Sequence, residues 1–586
     1  MHSLLELVDP RLRAELAVDF GRRQLEGLEG LPRGVTVVLA GQRAAGKSTL
    51  LPKVAALLSR DGVDLDAELE RRAGRPIREW FTADEAGFRA AEREAFRSLP
   101  PGCVVAVGGG FLSNHADLLR PHLVVEVPVS FDTYCERLKA DPTRPRLRPE
   151  LSLMEELREV FTERERRHAA ARPMRFTEFL ARAERPARAR RVVTLPPHDP
   201  LETFAWAARH VGADLLEVRT DLHPPELDLT GAARALPLMI SERVRPAPPA
   251  WRALATVIDS PQGGGSLVSL HTDRALTTAE AMAKWRSLAS PGVLVKHVEP
   301  LGEPGAFPRL LETQRQLIER FGAGRVTVLA TGPLALPFRA VLNQHNGLDY
   351  LALSSRWRAA EGQRLLSDAV REARRSVRDG STERLGILGG ALDHSRSPRI
   401  HAQPFDRIEL PIDTDVPALL AALRPHYRGF AVTNPFKKRL GVPGVAAANT
   451  LVRTASGWRA SNTDVEGARV TWEALGRPSS LTVLGEGGVA PALRELPGVE
   501  VRFVTRAQIT AAPIGGVVVW TWPVGVDVPH ALNFAGGARV AIIAYGAAAR
   551  VLAQLIEERG GVPVRLGARW FIAQARGQRA AWALGE

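Results

Sequence analysis

Residues Gly41-Gln42-Arg43-Ala44-Ala45-Gly46-Lys47-Ser48 spell G-x-x-x-x-G-K-[ST], directly after the apolar, β-branched run at 35–40. Few folds accommodate that pattern. The glycines let backbone N–H groups turn around phosphate oxygens, and the loop needs a buried strand before it and a helix after it. A parallel α/β sheet is therefore expected here, with the apolar runs at 104–110 and 123–129 as neighbouring strands. Lys47 is placed to reach a transferring phosphoryl group and the Ser48 hydroxyl to bind Mg2+. Gly41, Gly46 and Thr49 complete the nucleotide loop.

The chain continues far beyond one such domain. Its 586 residues suggest three or four cores. From about residue 189 a new alternation begins. Eight short apolar runs (RVVTL, DLLEVRTD, LPLMIS, ATVIDS, SLVSLH, GVLVKHVEP, RVTVLAT, LDYLALS) are separated mostly by helical patterns. Eight strands alternating with helices predict a (β/α)8 barrel. This one is compressed, and DSPQGGGS after Ile258 leaves no room for a helix. Charged stretches near 184–192 and 371–385 read as boundaries. A second strand and glycine loop, SLTVLGEGGVAPAL, splits the last region into two lobes. The expected organisation is a helical N-terminal extension at 1–30, a P-loop domain at 31–188, a barrel at 189–380, a first lobe at 381–478 and a glycine-loop lobe of Rossmann pattern at 479–586. In class this is an α/β multidomain protein. The N-terminal segment reads as a packing or oligomerisation helix, compatible with a homodimer.

Composition excludes several alternatives. No run of 18 apolar residues occurs, and the first 30 residues lack the apolar core of a signal peptide, so the cytoplasm is the expected compartment, with no membrane partner. Two cysteines are too few for a disulfide framework. The net charge of +13 comes from Arg spread along the whole chain. That argues against a nucleic-acid patch and for attraction of small anionic substrates. Only seven of the 78 basic residues are Lys. Lysine can form an imine or give up a proton, and arginine can do neither readily. Three of the seven fall in chemically suggestive places: Lys47, Lys296 and Lys437.

Lys296 ends the apolar part of GVLVKHVEP, and His271 ends the preceding run. Strand ends of a barrel carry its catalytic groups, and desolvation would free the amine to attack a carbonyl. Farther on, Ser395 and Ser397 are spaced to hold one carboxylate. Lys437 and Asp464 make a sensible acid–base pair for hydride transfer. Gly485, Gly487 and Gly488 belong to a G-x-G-x-x-[GA] pattern, which seats a dinucleotide pyrophosphate on a helix N-terminus.

Each block resembles a known family. Residues 31–188 resemble shikimate kinase: the Asp64-Leu65-Asp66 segment, Gly87-Phe88-Arg89, the triple glycine 108–110, Arg144-Pro145 and Arg164 stand in the family's order. The resemblance implies that Asp66, Arg89, Gly109 and Arg164 hold shikimate, Asp64 assists Mg2+, and Arg144 clamps ATP phosphates. Residues 192–375 resemble type I 3-dehydroquinate dehydratase. That implies a Schiff base at Lys296, proton transfer by His271, carboxylate binding by Arg339, and hydroxyl-holding or His-orienting roles for Glu217, Arg219, Arg243 and Gln363. The last 200 residues resemble shikimate dehydrogenase. There the implied shikimate ligands are Ser395, Ser397, Thr433, Asn449 and Gln574, with Tyr545 on the substrate side. Thr505 and Arg506 after the second Rossmann strand suggest NADP(H). The domain order is similar to the last three domains of AROM polypeptides. It implies one chain that takes 3-dehydroquinate through 3-dehydroshikimate and shikimate to the phosphorylated product. Fungal quinate-pathway repressors share that order, so a metabolite sensor is the alternative.

Overall fold

The computed structural model describes residues 3–26, 28–100, 102–119, 122–141, 146–185, 187–261, 263–290, 293–360, 362–379, 384–392, 395–401, 405–442, 447–522 and 525–583. The chain divides into two compact units, Met1–Gly380 and Ser381–Glu586. Among the described residues no helix is long and apolar enough to cross a membrane.

The first unit opens with a five-stranded parallel sheet: β1 (Val37–Ala40), β2 (Gly62–Asp64), β3 (Val104–Ala106), β4 (Leu123–Glu126) and β5 (Met174–Arg175), in the order β2-β3-β1-β4-β5. All four residues of β1 are buried, as an unbroken β-branched run demands. Their side chains alternate between two cores. Val37 and Leu39 pack with Leu50 and Val54 of the P-loop helix Lys47–Leu58, while Val38 and Ala40 pack with Phe88 and Phe111.

The N-terminal extension departs from a single helix. Two 3-10 turns, Ser3–Leu7 and Pro10–Leu12, precede the helix Arg13–Leu25, because Pro10 carries no N–H to continue a ladder. Leu4, Leu5 and Val8 lie in the same core as Val37 and Leu50, so this segment is part of the kinase-like domain. Asp9 is fully buried. It accepts from Ser130 N at 2.6 Å and Thr133 Oγ1 at 2.7 Å, at the start of the helix Phe131–Lys139. Burial pushes the Asp9 carboxyl up, but hydrogen bonds from Ser130, Thr133 and Arg11 outweigh it and hold the pKa near 2. Replacement by Ala leaves buried donors unpaired and is expected to lower stability near neutral pH by about 1–3 kcal/mol. A depressed pKa contributes stability above the ordinary carboxyl range. The difference in melting temperature between wild type and D9A should therefore shrink as pH falls through about 4 towards 2.

The barrel follows: β6 (Arg190–Thr194), β7 (Leu215–Arg219), β8 (Leu238–Ser241), β9 (Ala255–Ser260), β10 (Leu267–His271), β11 (Leu294–Pro300), β12 (Val326–Thr331) and β13 (Leu348–Ala352), with a short β14 (Arg364–Leu365) beside β13. Consecutive strands pair in parallel, and β13 pairs with β6. Between β12 and β13 the wall closes by single bonds: Gly347 N donates to Val326 O and Leu348 N to Thr327 Oγ1. Among the described residues no helix separates β9 from β10, in keeping with the short DSPQGGGS segment. The interior is lined by Val192, Leu215, Met239, Val257, Leu267, Leu294, Leu329, Leu348 and Tyr350.

At the N-terminal end of this barrel three glycines bring backbones into contact. A methyl group on Gly34, just before β1, would lie 2.3 Å from Gly324 O, and one on Gly347 would lie 2.2 Å from the same oxygen. No other residue type fits either place. Close by, Arg188 pairs with Glu29 and Asp214, and Arg191 pairs with Glu29. The P-loop and the barrel's C-terminal mouth both face away from this seam.

The second unit has two sheets. β15 (Arg384–Gly389), β16 (Phe405–Glu409), β17 (Tyr427–Val432), β18 (Thr450–Arg453) and β19 (Trp458–Ser461) run in the order β16-β15-β17-β18-β19. β20 (Ser480–Leu484), β21 (Glu500–Val504), β22 (Val517–Trp520), β23 (Arg539–Ile542) and β24 (Val562–Arg565) form a parallel sheet ordered β21-β20-β22-β23-β24. The C-terminal helix Gly567–Ala583 returns to the first lobe, where Trp582 Nε1 donates to Leu451 O. The helix after the glycine loop differs from expectation. It spans only Ala490–Arg494, stopped by Pro497 and Gly498, so its dipole is a weak seat for a pyrophosphate.

Candidate functional sites

In the first domain Lys47 is buried and its ammonium donates to the loop carbonyls of Gln42 (2.7 Å) and Gly41 (3.2 Å). Gly41 and Gly46 adopt positive φ, which the tight loop requires. Ser48 and Thr49 are exposed at the start of the helix. Asp64 caps the helix Leu65–Ala73, its Oδ1 accepting from Asp66 N and Ala67 N. Asp66 lies against Gly108, where a methyl group would stand 3.0 Å from its carboxylate. A methyl on Gly110 would lie 3.3 Å from guanidinium nitrogens of both Arg89 and Arg164. Asp66, Arg89, the triple glycine and Arg164 thus surround one place. Arg144 lies outside the described residues.

Three guanidiniums meet there, of which Arg89 pairs with Glu92 and Glu85 and Arg43 lies 3.8 Å from Glu156. Burial lowers the Arg164 pKa to about 10, and the neighbouring charges of Arg43 and Arg89 act the same way. Arg164 Nη1 is buried without a hydrogen-bond partner, the condition that an anionic ligand would relieve. Arg43 was not marked by the motif, being one of its variable positions. Its backbone packs on Gly109, and its guanidinium meets Tyr134 Oη at 3.2 Å. Arg137 was also missed, and it donates to Ala44 O of the P-loop at 2.7 Å. In a chain so rich in Arg, neither had contrast in the sequence.

In the barrel Lys296 is buried on the inner face. Register places Ser269 beside it, and two residues on, His271 beside Val298. Its Nζ donates to Asp259 Oδ2 and, at 3.2 Å, to Tyr350 Oη. Arg243 bonds the same Asp259 oxygen at 2.9 Å and Ser269 Oγ at 3.2 Å. Glu217 accepts from Thr194 Oγ1 and Ser241 Oγ, both at 2.6 Å. Arg219 turns to Asp221 instead. Burial first, and then the Arg243 charge, lower the Lys296 pKa against the opposing pull of Asp259. Burial raises the Asp259 pKa, but the Lys296 and Arg243 charges outweigh it and hold it low. His271 is exposed at the rim, yet protein crowding and the Lys296 and Arg243 charges push its pKa to about 3, which leaves it a neutral base.

Two implied ligands bond to backbone groups. Arg339 lies in the buried helix Ala335–Leu342, its Nε on Ala330 O and Asp349 its neighbouring charge. Its Nη1 is buried without a hydrogen-bond partner. Gln363 is buried, its carbonyl accepting from Ala359 N and Ala360 N, so it closes its own loop. Asp259 and Tyr350 were not singled out in the sequence. Their signal was a charged or phenolic residue on the inner phase of a parallel strand, where apolar side chains are the rule.

In the second unit Lys437 Nζ meets Asp464 Oδ2 at 2.5 Å, with Asp464 buried. Asn449 is fully buried; its Oδ1 accepts from Thr463 N at 2.8 Å, and its Nδ2 has no partner. A methyl at Gly488 would lie 3.2 Å from the Lys437 side chain, so the glycine loop adjoins the acid–base pair. Gly485 has φ +106° and packs against Trp522. Gly487 is open to solvent space. Ser395 and Ser397 are buried, and Thr433 lies against Gly389. Tyr545 is capped by the Arg396 guanidinium at 5.2 Å, and burial raises its pKa. Gln574 is half-buried on the last helix. Thr505 caps the turn Arg506–Gln508 beyond β21. Glu486 pairs with Arg494, which draws its carboxylate off the loop. Among the described residues no group of three or more His, Cys, Asp or Glu is arranged for a metal.

The P-loop on a β2-β3-β1-β4-β5 sheet defines a P-loop kinase fold, and the last sheet is of Rossmann type. The shikimate kinase family model matches residues 43–190. A shikimate kinase of Geobacter sulfurreducens is 40% identical over 144 residues, which are 24% of this chain and 79% of that protein. One of Thermobifida fusca is 43% identical over 117 residues, 19% of this chain and 67% of that one. Through this domain the chain belongs to the shikimate kinase family. A shikimate dehydrogenase (NADP(+)) of Anaeromyxobacter dehalogenans is 35% identical over 159 residues, 23% of this chain. The chain spans 57% of that relative's length. Among solved structures, dehydroquinate dehydratase and shikimate dehydrogenase from S. pombe AroM covers 67% of this chain and 95% of its own at 18% identity, with a TM-score of 0.26.

Proposed function

We propose that this chain is a multifunctional enzyme of the shikimate pathway. Its kinase domain phosphorylates shikimate from ATP, its second unit reduces 3-dehydroshikimate with NADPH, and its barrel dehydrates 3-dehydroquinate. The kinase reading is carried by one observation: Arg43, Arg89 and Arg164 converge beside Asp66 and the triple glycine, with Arg164 Nη1 unpartnered. Such a pocket takes a carboxylate on the cations and hydroxyls on the aspartate. The donor set also fits Mg2+, which prefers a few protein oxygens with water and phosphate: Ser48 and Asp64 would hold it. Bound ATP with Mg2+ supplies the phosphoryl group. The protein's part is to position the acceptor and neutralise spreading charge, with Lys47 as the fixed cation.

In the dehydrogenase cleft NADPH supplies the hydride. Lys437 and Asp464 hold and move the proton at the substrate oxygen, Asn449 Nδ2 offers a free donor, and Ser395 and Ser397 receive the carboxylate. In the barrel, Lys296 forms the imine and neutral His271 removes the neighbouring proton. A narrower reading, with kinase and dehydrogenase active and the barrel inert, is favoured by the engagement of Arg339 Nε on the Ala330 carbonyl. Borohydride reduction with 3-dehydroquinate separates the two readings: ligand mass on Lys296 supports the dehydratase, and no adduct reduces the barrel to a scaffold. For the kinase, R164A is expected to raise the KM for shikimate by about 10- to 100-fold, the loss of a charge-assisted pair of roughly 1.5–3 kcal/mol. The KM for ATP should stay within a few-fold. Equal rises in both would place Arg164 outside the acceptor pocket.

A further inference from the structure

Beside the barrel lysine stands a hydroxyl for which the resemblance has no role. Tyr350 Oη, on the inner face of β13, accepts from Lys296 Nζ at 3.2 Å. The same hydroxyl donates to Met239 Sδ at 3.4 Å. A thioether is a weak acceptor, so a carbonyl oxygen would displace it readily. The ammonium also lies 4.6 Å from the Tyr350 ring centroid, and Asp259 holds it from another strand. His271, two residues beyond the register of Lys296, is exposed at the rim.

We infer that Tyr350 is a further catalytic residue of the barrel, carrying protons from the Lys296 nitrogen to the oxygen of the ketone that the amine attacks. The inference rests on the imine reading above. The step balances without an outside acid. Lys296 starts as an ammonium, and Asp259 takes one proton, freeing the nitrogen pair. That pair forms the N–C bond while the π pair of the carbonyl moves to oxygen. Tyr350 gives its hydroxyl proton to this oxygen and regains one from nitrogen along the existing Nζ–H···Oη contact. The C–O bond then breaks as the oxygen receives the proton held by Asp259. Of the three ammonium protons, two leave in water and one stays on the iminium nitrogen. An oxygen bonded to the carbon that Nζ attacks is necessarily close to any group touching Nζ, so Tyr350 needs no large movement.

The test uses the full chain with 3-dehydroquinate and reads two rates: borohydride-trapped adduct at Lys296, and exchange of the ketone oxygen with isotopically heavy water. Y350F is expected to slow both by about tenfold or more, with kinase turnover unchanged as a control of folding. Wild-type rates in Y350F overturn the inference while leaving the imine reading intact. A wild-type chain that traps no adduct overturns the imine reading and this inference together. Should Y350F fold poorly, a difluorotyrosine at the same position keeps the shape and acidifies the phenol. Adduct formation should then shift its pH dependence downward, and an unshifted profile overturns the inference.

Discussion

Replacing Lys47 with Met should remove about 100- to 1,000-fold of kinase turnover, the effect of deleting one preorganised charge at a developing anion. Lys47 is the only lysine of the P-loop, and its ammonium is already held on the loop carbonyls of Gly41 and Gln42. Met keeps the length of the side chain and its burial, so the core formed by Leu50 and Val54 should persist. The dehydrogenase of the same molecule supplies the control. Kinase turnover in K47M within a few-fold of wild type would show that the loop is not the phosphoryl-transfer site.

Replacing Lys437 with Met should act on the other end of the chain. General acid–base catalysis contributes about 100- to 10,000-fold, and Lys437 with Asp464 forms the one close acid–base pair beside the glycine loop among the described residues. The loss should fall on turnover, with the KM for shikimate changed little, because Ser395, Ser397 and Asn449 remain. D464N should give a comparable loss, and the double variant should be scarcely worse than either single one, since the two act as a unit. Additive losses would mean separate roles. Kinase activity should be untouched in all three variants.

The strands β1, β3, β4 and those of the barrel were legible because each is a short apolar run bounded by polar or glycine segments, whereas β2 (Gly62–Asp64), β5 (Met174–Arg175) and β19 (Trp458–Ser461) are short and partly exposed and leave no such signature. The missing helix between β9 and β10 was legible from length alone. The N-terminal segment was not, because helical periodicity over 1–25 hides the role of Pro10 and the burial of Leu4, Leu5 and Val8. Site residues split along the same line. Lys47, Lys296, Lys437 and Asp464 sit in motifs whose chemistry demands their type. Asp259, Tyr350 and Arg43 are brought to their sites by strand register or loop closure, which no local pattern announces. Arg339, a charge at the expected chain position, lies on a buried helix with its Nε bonded to the Ala330 carbonyl, a contact that the sequence does not announce. The short helix Ala490–Arg494 shows that a glycine pattern specifies a turn more surely than the helix behind it.

The proposal that three sites on one chain act in sequence is tested most directly by giving the purified protein 3-dehydroquinate, NADPH and ATP, singly and together, and following each product. With all three present, NADPH and ATP should be consumed and phosphorylated shikimate should accumulate. With 3-dehydroshikimate as the starting compound, the last two steps should proceed even in a Lys296→Ala variant. If no step exceeds background while the protein still binds shikimate, the chain is a sensor and the catalytic account is contradicted.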